Sequence, residues 1–502
     1  MDVSLASGAG RESDRAAVQI SMREISARID AIPQCRPMWL IICLLSFGAF
    51  CEIYDTSMTV FLVPGLVSSG VFKQGAAGLF GQSDAATFIA ATFSGLWVGT
   101  MAFSVISDRW GRLPALKYAM IWYSAATLLM GVQSSALSID ILRFVTGIGM
   151  GVQIVAIDCY IAEITPKAWR GRAFAASKAI QYSAVPFGAI LALSLLTSNP
   201  LGFEGWRWLS IVPAAIALIV LIAQRKLPES PRWLAQNGRI SEAEAVLDDL
   251  ERRVLRSGAK PDLAEKTQEE AVLGKLDREI SKGAMTRRIV MMSVANFMQA
   301  IGYYGFHNWV PTLLQAKGAN LSHSLGYSAA IALSFPIAPL VFLMFADKFE
   351  RKLQVIVGCL CTATFGMAFA QQSSPAMWIV FGVLVTISSN LMGFSIHTYQ
   401  AEIFPTRTRA RAVGFSYSFT RLSTIFSGYI VAYLLQNVGV NGVFIFLDAA
   451  LVTAALVVGI LGPRTRGLAV EQIARGRLAA SEAPTAGEVK RLICTKSMQI
   501  DE

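Results

Sequence analysis

The sequence predicts an all-α membrane protein, with twelve transmembrane helices in two pseudo-symmetric six-helix bundles. Three observations predict it. Apolar stretches of about twenty residues recur along the chain, the length a helix needs to cross a bilayer core. Of 502 residues, 54% are hydrophobic and only 16% charged, against about a quarter charged in soluble domains. A charged motif also returns at one fixed interval.

Inside hydrocarbon, every backbone polar group must be satisfied within its own segment, which selects helices. The period-2 alternation of a membrane β-barrel is absent. The expected spans are 38–64, 84–106, 114–133, 138–161, 173–197 and 206–225, then 288–315, 324–346, 352–372, 375–400, 412–436 and 440–462. They divide the chain into an N-terminal segment (1–37), a first bundle (38–225), a charged loop (226–287), a second bundle (288–462) and a tail (463–502). The first segment is polar and charged, so no secretory signal peptide is expected. In the loop, Ala243, Val246, Leu247 and Leu250 recur at helical spacing, which predicts short amphipathic helices bridging the two bundles.

The net charge of +10 raises the question of nucleic acid, and its placement answers it. Arg109, Arg112, Lys167, Arg170, Arg172, Lys348, Arg351, Lys352, Arg407, Arg409 and Arg411 fall in loops of one side; Lys73, Arg207 and Lys317 are nearly all that the other side carries. This is the positive-inside bias, and it places both termini and the long loop in the cytoplasm. The seven cysteines lie mostly in spans, without CxxC spacing, and read as small apolar residues rather than disulfide or metal ligands.

The repeat is found by subtraction. Asp108-Arg109-Trp110-Gly111-Arg112 follows the second span, and Asp347-Lys348-Phe349-Glu350-Arg351 follows the eighth; 347 − 108 = 239. Ala162-Glu163-Ile164-Thr165-Pro166, running on to Arg170 and Arg172, ends the fourth span. Ala401-Glu402-Ile403-Phe404-Pro405, running on to Arg409 and Arg411, ends the tenth; 402 − 163 = 239. Two motifs sharing one offset indicate a duplicated six-helix unit in parallel orientation, a construction used by alternating-access carriers.

These motifs resemble the signatures of the major facilitator superfamily. DRWGR is similar to its loop between helices two and three, with Ser104 where a glycine is usual. Arg143-Phe144-Val145-Thr146-Gly147-Ile148-Gly149 resembles its helix-four RFxxGxG, and Pro228-Glu229-Ser230-Pro231-Arg232-Trp233-Leu234 resembles the PESPRWL of sugar porters and their metabolite-symporter relatives. The likeness covers about residues 24–475 and specifies the superfamily more sharply than the cargo. The repeated Asp108, Arg109, Arg112, Glu163, Arg170, Arg172, Asp347, Arg351, Glu402, Arg409 and Arg411 are then expected to form a cytoplasmic gate whose ion pairs close one state and break in the other. Plain positive-inside anchoring is the alternative.

Ionisable groups at membrane depth cost about 2.5–3.5 kcal/mol each on insertion scales and are functional candidates. The spans hold Glu52, Asp55, Arg143, Asp158, Lys178, His397, Arg421 and Asp448. Tyr54-Asp55-Thr56 resembles the helix-one GYDT of sugar porters, where proton-driven members carry an acid, and Arg143 matches the arginine that partners it. Asp55 is expected to couple protons, with a fixed ion pair as the structural alternative. Glu52, three residues earlier on the same helix face, is a second candidate. Asp158 stands where sugar porters have proline, and its repeat mate (158 + 239) is His397; a relay or a buried polar network would use that pair.

For cargo, helix seven reads Met298-Gln299-Ala300-Ile301-Gly302 and continues through Tyr303, Tyr304 and Asn308. It resembles the QQxxG of hexose porters with one glutamine missing. Lys178 stands where sugar porters place a sugar-binding glutamine, and His397 where they place a tryptophan. Arg421 in helix eleven resembles the arginine of organic-anion and aromatic-acid carriers. Sugar hydroxyls are read by amides, whereas a guanidinium grips a carboxylate bidentately. The expected substrate is therefore a small carboxylate held by Lys178, Gln299, Tyr303, Tyr304, Asn308, His397 and Arg421.

No GxxxxGK[ST] loop, HExxH or nucleophile elbow appears, so neither an enzyme nor an ATP-driven pump is indicated. No cofactor or nucleic acid is expected, only cargo, protons and lipid. The reading is a monomeric, proton-coupled importer of a small organic acid in a bacterial inner membrane. A sugar or polyol symporter, a drug–proton antiporter and a non-transporting membrane sensor are the alternatives.

Overall fold

The computed structural model describes residues 24–73, 83–198, 200–259, 282–345, 349–404 and 409–463. Among them run twelve helical spans: α1 (Arg36–Ser68), α2 (Asp84–Trp110), α3 (Arg112–Met130), α4 (Ala136–Ile164), α5 (Arg170–Tyr182 with Ala184–Ser198) and α6 (Gly205–Ala223) in the first half. The second half holds α7 (Lys282–His307 with Val310–Ala316), α8 (Leu321–Ala332 with Ile337–Phe345), α9 (Arg351–Gln371), α10 (Pro375–Ile403), α11 (Arg409–Asn437) and α12 (Val440–Leu461). Helices outlast the apolar windows that announce them, because a helix continues into polar residues beyond the hydrocarbon. Thus α7 starts at Lys282 rather than 288, and α1 runs to Ser68 rather than 64.

Nine of these spans, among the described residues, are long and apolar enough to cross a membrane on composition alone. The other three are α3, α7 and α11. All three carry buried polar side chains: Thr127 on α3, Asn296 and Gln299 among those on α7, and Thr420, Arg421, Ser423, Thr424 and Ser427 on α11. α7 and α11 pack against each other, so the least apolar spans meet inside the protein.

Three spans are interrupted, each next to a proline. α5 turns at Ser183 before Pro186, α7 breaks at Asn308 and Trp309 before Pro311, and α8 turns between Leu333 and Pro336. Proline removes a backbone donor and disfavours helix at the preceding residue. Broken helices at membrane depth are tolerated where they are buried in protein or line a cavity. The α5 and α7 breaks deliver Tyr182, His307 and Asn308 to the interior.

Within the first half, α2 and α4 cross so closely that a Cβ on Gly95 would lie 2.1 Å from the Phe144 carbonyl, and one on Gly147 2.5 Å from that of Thr92. The glycines of RFVTGIG thus permit a backbone contact, as small residues do between membrane helices. Across the halves, α2 packs on α11 and α5 on α8. On the face away from both chain ends, Phe61, Leu62 and Leu66 of α1 share an apolar cluster with Leu325 and Ala329 of α8.

The loop helices Pro231–Gln236 and Ile240–Arg256 correct one expectation. They were expected to bridge the bundles, but their described part seats under the first half. Ala243, Leu247, Leu250 and Val254 pack on Ile25, Ile29 and Ile32 of the N-terminal segment, in a cluster otherwise drawn from that half. Residues 24–30 are themselves helical, so two matching apolar stripes meet. Arg28 fixes the register, reaching Glu251 at 2.7 Å and Asp248 at 2.6 Å.

Candidate transport site

The sequence-predicted pair forms at the centre of the first half. Arg143 and Asp55 are 0% and 2% exposed, with Nη1 to Oδ1 at 2.5 Å. Arg143 also donates from Nη2 to the Asp55 carbonyl at 2.5 Å and to the Thr59 hydroxyl, and from Nε to Thr92 at 3.1 Å. Thr127 donates to the second Asp55 oxygen at 2.6 Å. A buried ion pair holds only when its remaining donors and lone pairs are met as well. Here α1, α2, α3 and α4 each supply a partner.

The second buried arginine is arranged differently. Arg421 is 3% exposed. Nη1 donates to the Tyr304 hydroxyl at 2.6 Å and Nη2 to that of Tyr417 at 3.5 Å. The guanidinium carbon lies 5.8 Å and 5.5 Å from the two ring centroids. Nε has no partner, and no described carboxylate comes within the 4.0 Å of an ion pair. Glu52 across the interface is 1% exposed; its Oε1 accepts from Thr56 at 3.1 Å, and Oε2 has no partner.

Around these charges the side chains are largely aromatic. Tyr303 stacks on His307 with centroids 4.4 Å apart, Phe93 meets Tyr304 edge-on at 4.9 Å, and Tyr182 stacks on Phe394 at 6.0 Å. Tyr303 donates to Asn390 at 3.4 Å. Gln299 and Asn308 are buried, and Gln299 Oε1 and Asn308 Nδ2 have no partner. The His397 ring lies tilted against that of Tyr417, centroids 4.9 Å apart, and 3.3 Å from Gln400, which bonds Asn296 at 3.2 Å. His397 keeps an exposed surface although Lys178 and Asp158 of the first half and Arg421 of the second lie near it.

Two expectations change here. Asp158 does not pair with its repeat mate His397; Lys178 Nζ takes it, at 3.0 Å and 3.2 Å, and also reaches Gln181 at 3.1 Å. Neighbouring α4 and α5 bring opposite charges together, so Lys178 reaches the cavity as half of an ion pair rather than as a lone cation. Tyr182 and Tyr417 were missed by sequence reasoning. The available signal was spacing: Tyr417 is four residues before Arg421 and Tyr182 four after Lys178, each pair on one helix face.

The expected gate residues tie helices within a half. Arg112 Nε meets Glu163 at 3.0 Å, and Arg351 Nε meets Glu402 at 3.3 Å. These pairs are repeat mates, since 351 − 112 and 402 − 163 both equal 239. Each of these two pairs links helix ends of its own bundle, because α3 and α9 begin where α4 and α10 end. Arg170 donates to the Thr165 carbonyl at 3.0 Å and 3.2 Å. Arg109, Arg172 and Arg411 are exposed. Asp347 and the side chains of Asp108 and Arg409 lie outside the described residues.

The PESPRWL segment completes this network. Ser230 donates to Glu163 at 2.5 Å, and Tyr160 donates to the Pro228 carbonyl. Glu229 accepts from the backbone N–H groups of Arg112, Leu113 and Ser230 at 3.2, 3.2 and 2.7 Å, capping the start of α3 where orphan amides and the helix dipole favour an anion. Burial pushes the Glu229 carboxyl above its ordinary range, against the lowering effect of those N–H groups. Gly111 is at φ +104°, and a Cβ there would lie 2.4 Å from Glu229 Oε2, which accounts for the glycine of DRWGR.

A twelve-helix repeat enclosing buried charges, aromatics and unpartnered amides defines a membrane transporter of the major facilitator superfamily, not an enzyme. The chain belongs to the family described as Sugar (and other) transporter, whose model matches residues 41–476. It is similar to YyaJ of Bacillus subtilis (strain 168), 28% identical over 87% of this chain and 95% of that one. It is similar also to the Niacin transporter NiaP of Acinetobacter baylyi, 23% identical over 90% of this chain and 99% of that one. Among solved structures, the xylose transporter XylE from E. coli in a partially occluded inward open conformation superposes with a TM-score of 0.70 at 20% identity, over 86% of this chain and 99% of that chain, which shows the fold.

Proposed function

We propose that the protein is a proton-coupled symporter that takes up a small organic acid by alternating access. It works in a bacterial inner membrane, with the basic face and both termini in the cytoplasm. The observation that carries the reading is Arg421, a buried guanidinium held by two tyrosine hydroxyls and, among the described residues, by no carboxylate. Leaving such a charge uncompensated is costly, and a substrate carboxylate reaching Nε supplies the missing partner. The name of one relative, a transporter of niacin, an aromatic carboxylate, accords with this.

Proton coupling falls to Asp55. Protonating that carboxylate removes the charge that holds Arg143, which loosens α1 from α4 and lets the halves rock. No cofactor is needed, because the proton gradient supplies the work. The open amides of Gln299 and Asn308 favour a second reading, a neutral sugar or polyol. Uptake of radiolabelled benzoate, nicotinate and xylose into proteoliposomes, with and without an inward proton gradient, separates the two. Gradient-stimulated uptake of an acid, lost in Arg421→Ala, supports the first reading; xylose uptake indifferent to Arg421 overturns it.

A further inference from the structure

Two ionic side chains at the centre each leave an atom unsatisfied: Glu52 Oε2 and Arg421 Nε. They come from opposite halves and feel each other's charge, yet no contact within 4.0 Å joins them. A structural pair would close that gap, as Asp55 and Arg143 do. Burying opposite charges without contact gives up solvation and gains little attraction in return. Tyrosines gather around Arg421: Tyr304 and Tyr417 hold it, and Tyr303 meets Tyr304 edge-on at 5.0 Å.

We propose that Glu52 is the second pole of the substrate site. It accepts a hydrogen bond from a hydroxyl or amino group on a flat cargo whose carboxylate is held by Arg421. The substrate class is then narrower than organic acids: aromatic carboxylates bearing a donor away from the acid, such as hydroxy- or aminobenzoates. The tyrosine rings beside Arg421 suit a planar ring, and a buried acceptor discriminates strongly against ligands that leave it unpaired. Thr56 occupies only Oε1, so Oε2 is left for the cargo.

This inference rests on Arg421 as the carboxylate site, and the test separates the two. Binding of benzoate, 3-hydroxybenzoate, 4-hydroxybenzoate, 4-aminobenzoate and xylose is measured by titration calorimetry on the purified full-length protein, its Glu52→Gln and Glu52→Leu variants, and Arg421→Ala. Calorimetry without a membrane gradient reads affinity apart from proton coupling. In the unmodified protein at least one donor-bearing acid binds roughly tenfold or more tighter than benzoate, the worth of one hydrogen bond to a charged group. That ratio shrinks in Glu52→Gln, which keeps shape and one neutral acceptor, and approaches one in Glu52→Leu. If Leu at this position unfolds the protein, the Gln variant alone decides. Equal binding of benzoate and every donor-bearing acid, or a ratio unchanged in Glu52→Gln, overturns the role of Glu52 and leaves that of Arg421 standing. Xylose binding with no acid bound overturns both.

Discussion

Arg143 and Arg421 are both buried to 3% exposure or less, and the protein treats them oppositely. Arg143 has a carboxylate, a carbonyl and two hydroxyls from its own half. Arg421 has two tyrosines and an empty Nε. A cation satisfied by protein is held within its bundle; a cation left open is, in the function proposed, the place for the cargo's carboxylate. Burial alone would have ranked them equal, and the count of partners separates them.

The largest expected effects test that contrast directly. Arg143→Ala leaves Asp55 as an uncompensated buried charge and should cost about 3–5 kcal/mol, read as a large fall in thermal unfolding temperature in detergent. Arg421→Ala removes an unpaired charge and should leave that temperature level or raised, while carboxylate affinity falls by about 10–100-fold for the loss of a charge-assisted bond. If both variants lose stability alike, Arg421 is structural and the contrast fails.

Asp55→Asn probes the satisfied site through transport. With the charge gone but the shape kept, accumulation driven by a proton gradient should fall to the equilibrium level while exchange of cargo across the membrane survives. Accumulation that persists in Asp55→Asn would move coupling elsewhere, with Glu52 the next acid on that face. The two outcomes are read by uptake and counterflow in the same liposomes.

The satisfied site could be read from the sequence and the open one only in part, for a physical reason. Asp55 and Arg143 stand in local motifs, and the pairs Arg112–Glu163 and Arg351–Glu402 in a repeat with one offset, because helix ends must be tied the same way in each half. The aromatic surroundings of Arg421 are not repeated: Tyr182, Tyr303, Tyr304 and Tyr417 come from α5, α7 and α11, brought together by packing between halves that no local pattern encodes. Lys178 shows the hazard of residue type alone. It had the charge for a substrate ligand, and Asp158 was placed one helix away to pair with it. The loop helices likewise declared their apolar stripe but not their partner, since Ile25, Ile29 and Ile32 lie in a segment whose composition reads as polar.

Smaller effects belong to the ties at the basic face, where the first half is fastened by groups outside the bilayer span. Gly111→Ala puts a side chain at φ +104° and against Glu229. With ψ at 167° this is a region essentially reserved for glycine, costing a side chain about 1–3 kcal/mol before any clash, so its unfolding temperature should drop measurably, though less than that of Arg143→Ala. An unchanged temperature would mean that α3 does not depend on the Glu229 cap.

Glu229→Gln should have the smallest effect, and its sign is set by linkage. Burial raises the Glu229 carboxyl in the folded protein above its ordinary value of 4.5, so over that window the native state keeps a proton the unfolded chain has lost. Stability then falls as pH rises through the window. The contribution is present at acid pH and gone above the native value, with a slope of at most about 1.4 kcal/mol per pH unit for one proton. Glutamine cannot titrate, so the difference in unfolding temperature between native and Glu229→Gln proteins, scanned from neutral pH downward, should grow in favour of the native protein as pH falls. Subtraction removes every carboxylate the two proteins share. A difference that moves the other way would show the three backbone N–H groups outweighing burial, and Glu229 would then hold α3 as a full anion.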